Sequence, residues 1–106
     1  MDIADWRGQI DELDRQLVML INKRAECALE IGRLKRNSEM PVYEPDRERI
    51  IFENIARNNT GPLSTIQMRQ IFERVVDVMR QIQRDEMTEA AAQEKKNGAA
   101  ELGTRD

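Results

Sequence analysis

Two cations eleven residues apart raise the first chemical question. Arg24 and Lys35 stand in the stretch INKRAECALEIGRLK, Ile21 to Lys35. Arg24 occupies an apolar slot of a helical repeat, where a guanidinium is costly unless an anion meets it. Eleven residues are almost three helical turns, so the two side chains share a face about 16 Å apart along the axis. Between them on that face lie Cys27, Ala28 and Ile31, two of them small. The pattern fits a pocket floor flanked by two cations, suited to a small anion. It equally fits a lone polar residue that sets coiled-coil register, and the spacing leaves both readings open.

Other polar residues invite the same question. Arg7 lies about 25 Å from Arg24 along the axis and cannot share a small site with it on one helix. It becomes relevant only where the end of one long helix crosses the middle of another. YEPDRERI places Glu44, Asp46, Arg47, Glu48 and Arg49 around a helix start. The dipole accounts for Asp46 and Glu48 there but gives Arg47 and Arg49 nothing. Gln83 borders the apolar stripe Phe72, Val76, Met79, either as a boundary residue or as an amide aimed between helices.

The absences define what chemistry is left. The chain has no histidine, which removes His-based triads and His-ligated zinc. It has no glycine-rich phosphate loop. An enzyme built from this set would use charged and amide side chains, with no covalent intermediate, metal or cofactor.

The elements that must carry these residues are helices. Ile3, Trp6, Ile10, Leu13, Leu17, Leu20, Arg24, Cys27, Ile31 and Leu34 follow one another in steps of three and four, a heptad seam. No proline interrupts it, so one helix is expected from Ile3 to about Arg36, about 50 Å long. A compact domain of 100 residues has a radius of gyration near 13 Å. So long a helix needs a second copy to cover it, and an intertwined homodimer follows. Pro41 keeps the next segment a loop, and Pro45 suits the first position of a second helix, PDRERIIFENIARN, with Ile51, Phe52 and Ile55 facing inward. NNTGP stops it. Ser64 and Gln67 form a capping box for a third helix. Its seam is Met68, Phe72, Val75, Met79 and Ile82, widened by Ile71 and Val78. This helix is expected to fade after Met87, leaving residues 89–106 as a disordered tail and 1–88 as the domain.

Bulk properties agree with an all-α, cytoplasmic protein. Of 106 residues, 35% are charged and 4% aromatic, which favours helices over sheets. A net charge of −3 does not favour nucleic acid. No segment approaches the roughly 20 apolar residues of a membrane span, and the acidic N-terminus lacks a signal core. The single cysteine suits a reducing compartment.

Taken in order, Arg7, IDELDRQLVMLINKR ending in Arg24, IGRLK ending in Lys35, PVYEPDRE and the late Gln83 strongly resemble the all-helical class of chorismate mutase, from about Trp6 to about Met87. The resemblance implies a three-helix chain, an intertwined homodimer with two active sites, and the rearrangement of chorismate to prephenate in phenylalanine and tyrosine biosynthesis. It further implies that Arg24 and the second subunit's copy of Arg7 bind the two carboxylates. Lys35 and Gln83 would donate to the ether oxygen, and Glu48 would accept from the ring hydroxyl, with Arg47 and Glu44 shaping that end. Two positions depart from some relatives: Glu44 where aspartate is found, and Met79 where a serine helps with a carboxylate. An isochorismate–pyruvate lyase on the same scaffold is a rival, as is a regulatory helical dimer acting on a separate partner enzyme of the pathway. The acidic pattern from Glu44 to Glu48 favours the mutase over the lyase.

Overall fold

A computed structural model describes the backbone of residues 1–104 and the side chains through Glu89, together with that of Gln93. Three helices make up the chain: α1 (Ile3–Ser38), α2 (Pro45–Asn58) and α3 (Thr65–Thr104). Strands are absent among the described residues.

Each boundary has a local cause. Asp2 and Asp5 form a reciprocal capping box at the start of α1, with bonds of 2.9 and 3.0 Å, satisfying two of the amides that a helix start leaves unpaired. Glu39, at φ 59°, closes α1 in the left-handed region. Pro45 is at the first position of α2, where a missing N–H costs nothing. The box expected at Ser64 is present: Gln67 N donates to Ser64 Oγ at 3.1 Å and Ser64 N to Gln67 Oε1 at 3.0 Å.

The helix α3 differs from the sequence expectation. Its backbone continues past Met87 to Thr104, through part of the segment read as a disordered tail. The stretch TEAAAQEKK has no apolar period, but Ala, Glu, Gln and Lys are among the strongest helix formers. Apolar periodicity reports a buried face, and a solvated helix needs none. Residues 105 and 106 of that expected tail lie outside the described residues.

Packing is sparse. α1 and α2 each pack on α3, with no close backbone approach to one another. Ala28, Val76 and Met79 are the buried apolar residues. Ile51, Phe52 and Ile55 are half-buried, as their inward assignment requires. Ile71 and Val78, expected to widen the α3 stripe, are exposed in the single chain. So is the N-terminal seam of α1, with Trp6 55%, Leu13 55% and Leu17 52% exposed. α1 approaches α3 closely at Gly32. A Cβ there would meet Gln83 Cα and Cγ at 3.4 Å.

Candidate active site

The C-terminal half of α1, the loop before α2, the first turn of α2 and the middle of α3 enclose a cleft of about 280 Å³. Seven of the eight residues singled out from the sequence line it: Arg24, Lys35, Glu44, Arg47, Glu48, Met79 and Gln83. Cys27, Ala28 and Ile31 line it too, between the two cations of α1. Arg7 does not. It stands on the exposed N-terminal part of the same helix, too far along the axis to reach the cleft of its own chain.

Lys35 is at the floor, 5% exposed. A buried ammonium has three protons to place; two are hydrogen-bonded, and a carboxylate stands close by as counter-ion. Val42 O lies at 3.0 Å, Gln83 Oε1 at 3.2 Å and Glu44 Oε2 at 3.3 Å. The ammonium thus ties the loop after α1 to α3. Because Gln83 accepts through its oxygen, its amide N–H groups are left to donate into the cleft. Glu44 is the longest of the three contacts and the one anionic partner. Met79, 4% exposed, supplies an apolar wall where a serine would have offered a hydroxyl.

Arg24 and Arg47 are different in kind. Among the described residues neither takes part in a hydrogen bond or ion pair. Burial holds Arg24 below the ordinary arginine value, and the nearby positive charge of Arg47 adds to the effect; Cys27 acts weakly the other way. Like charges held close together with no counter-ion from the protein suit the binding of an anion. The whole lining carries Arg24, Lys35, Arg47 and Arg80 against Glu44 and Glu48. Two ion pairs, Lys35–Glu44 and Arg80–Glu48, cancel internally. Two positive charges remain.

Arg80 was not legible from the sequence. It is one of several arginines along α3, and nothing in its spacing separates it from the exposed Arg74 or Arg84. Its Nη2 donates to Glu48 Oε1 at 2.7 Å and its Nε to Oε2 at 3.0 Å. Val42 was missed for another reason: its carbonyl is backbone, invisible to side-chain patterns.

A family model described as "Chorismate mutase type II" matches residues 6–84. The chain belongs to the chorismate mutase type II family. It resembles the bifunctional chorismate mutase/prephenate dehydratase of Aquifex aeolicus, 40% identical over 58 residues, 55% of this chain and 16% of that protein. The chain thus spans under a fifth of that relative's length. Against the chorismate mutase of Methanocaldococcus jannaschii, identity is 31% over 55 residues, 52% of this chain and 56% of that one. Among solved structures, chorismate mutase from Helicobacter pylori in complex with prephenate superposes with TM-score 0.76 at 30% identity, covering 82% of this chain and 94% of that one. Form II of the enzyme from Thermus thermophilus gives TM-score 0.76 at 26% identity, covering 77% and 93%. The three-helix fold expected of this mutase class is the fold observed.

Proposed function

We propose that this chain rearranges chorismate to prephenate, acting as a homodimer. The observation that carries the reading is the cleft's charge. Two unpaired guanidiniums, Arg24 and Arg47, stand beside a buried Lys35–Gln83 pair, and the substrate is a dicarboxylate. The relative from Helicobacter pylori, whose structure holds prephenate, supports the same substrate class.

The reaction breaks one carbon–oxygen bond and forms one carbon–carbon bond within a single molecule. It needs a compact substrate conformer and stabilisation of negative charge on the ether oxygen. Arg24 holds one carboxylate, and fork-shaped contacts fix its orientation as well as its charge. Lys35 turns a proton from Glu44 to the ether oxygen, and Gln83 donates beside it. Both contacts strengthen as charge develops, so they lower the barrier rather than merely bind substrate. Glu48 accepts from the ring hydroxyl, while Arg47 and Glu44 shape that end. Met79 contributes packing only, so affinity is expected to be modest. No step calls for a metal or cofactor.

The second carboxylate is assigned to Arg7 of a second copy. Two observations support the dimer. The chain's surface is 8512 Å², whereas a compact monomer of 12.4 kDa exposes about 6,100 Å². Large apolar residues of the α1 seam, among them Trp6, Leu13 and Leu17, stand exposed in the single chain. Residues 1–88 are taken as the catalytic unit. Among the described residues no helix is long and apolar enough to cross a membrane. A cytoplasmic location, and contact with a separate enzyme of aromatic biosynthesis, belong to the same proposal. Co-purification tests the partner.

Chorismate loss followed by ultraviolet absorbance, with prephenate identified as product, tests the activity. Pyruvate from isochorismate without prephenate from chorismate would overturn it in favour of the lyase.

A further inference from the structure

The mechanism leaves Arg80 unused, yet it is the best-connected cation of the cleft. Its guanidinium grips both oxygens of Glu48 from α3, with Nη2 also 2.9 Å from Oε2. It lies over the Tyr43 ring at 5.1 Å and reaches Asp77 Oδ1 at 3.4 Å. The two partners are largely enclosed, with side chains 22% and 19% exposed. Glu48 also borders two further cavities, lined otherwise by residues of α2, α3 and the loop before α2. The ion pair thus stands where the cleft meets the α2–α3 surface.

That position has an electrostatic consequence. Glu48 shares the cleft lining with Arg24 and Arg47, neither of which has a counter-ion of its own. A carboxylate free to swing there would fall onto one of them and cancel half of the charge meant for a dianion. A fork gripping both oxygens prevents this, because a bidentate contact fixes orientation and a point charge does not. A carboxylate has more acceptor sites than one guanidinium fills, and Glu48 lines the cleft, so it remains an acceptor.

We propose that Arg80 is a positioning residue: by holding Glu48 against the α2–α3 wall it keeps Glu48 from neutralising Arg24 and Arg47, leaving Arg24 free to bind a substrate carboxylate and Arg47 to add positive charge beside it. The inference rests on the dianion reading of the cleft and deepens it.

The test measures binding of a bicyclic ether dicarboxylate, a mimic of the transition state, by calorimetry, together with kcat and KM for chorismate. Arg80→Met is expected to weaken binding by about 10- to 100-fold, the range for losing a hydrogen-bonded charge, with KM rising more than kcat falls. Arg80→Lys, which keeps the charge but loses the fork, is expected to lose part of the affinity. Adding Glu48→Gln to Arg80→Met should restore about tenfold of affinity, since the freed carboxylate is then gone. A purely structural role predicts no such rescue. Melting curves on all variants separate misfolding from weak binding, and Arg80→Lys serves if Arg80→Met does not fold. Unchanged affinity in both Arg80 variants, or a loss that Glu48→Gln does not relieve, overturns the inference while leaving the mutase reading intact. A wild-type protein that neither binds the dicarboxylate nor consumes chorismate overturns both.

Discussion

At the scale of single residues, Arg24 and Lys35 show how differently two cations on one face are treated. Lys35 is deeply buried, hydrogen-bonded to Val42 and Gln83 and paired with Glu44. Removing it leaves those acceptors unpaired and takes away the donor assigned to the ether oxygen. Lys35→Ala is expected to lower kcat by roughly 100-fold or more, the size of losing one oxyanion donor. A steady-state assay with near wild-type turnover would refute the role. Arg24 is half-buried without a partner, and its value is lowered by burial first and Arg47 second. For a base, a lowered folded-state value means that folding disfavours the charged form. The cost is present at every pH below that value, hence across the working range, and is relieved only as pH rises through it. Arg24→Met is therefore expected to raise the Tm of the unliganded protein by a few degrees. The same change should weaken dicarboxylate binding roughly 100-fold. Thermal melts with and without the dicarboxylate check both halves, and a lower unliganded Tm would contradict the strain assigned to Arg24.

At the scale of elements, Gly32 marks a close approach of α1 to α3. Gly32 is buried within α1, where glycine costs about 1 kcal/mol against alanine. The neighbouring backbone is Gln83 itself, at 3.4 Å from a would-be Cβ, ordinary contact for a methyl group. Alanine just fits at that distance, so Gly32→Ala is expected to fold and to retain activity. Leucine forces the helices apart at a cost of about 1–3 kcal/mol. Because the displaced residue is Gln83, Gly32→Leu is expected to cost about 100-fold in kcat even where the protein folds. Paired melting and kinetic measurements on the two variants test this, and wild-type turnover in folded Gly32→Leu would show that the approach does not position Gln83. The caps illustrate the other side of element-scale control. Ser64 with Gln67 was readable because a capping box is local. The continuation of α3 beyond Met87 was not, because its signal is propensity rather than periodicity.

At the scale of the whole molecule, an α1 of 36 residues extends well past what α3 covers. The chain measures 72 × 34 × 15 Å with a radius of gyration of 19.7 Å, against about 13 Å for a compact domain of similar length. The proposed dimer completes both the core and the site. It makes a specific prediction. Arg7→Ala and Arg24→Ala homodimers should each be nearly inactive. Unfolded together and refolded, random pairing makes half of the dimers mixed, and each mixed dimer has one intact site. About a quarter of wild-type activity should return. No recovery, with mixed dimers demonstrated by a tag, would place both arginines in one subunit's site and refute the crossing.

What the sequence determined by itself was whatever depends on order along one helix. Helix number, the Ser64 cap and the shared face of Arg24 and Lys35 over small residues all follow from a period of 3.6 and from turn chemistry. The charge surplus was visible in type but not in balance. Tertiary structure alone decided which cations are free. Glu44 neutralises Lys35 and Arg80 neutralises Glu48 through contacts spanning 9 and 32 residues of sequence. No local pattern specifies such pairs, because ion pairing depends on distances of a few ångströms between side chains on different elements. The two arginines left over, Arg24 and Arg47, give the cleft its net positive charge.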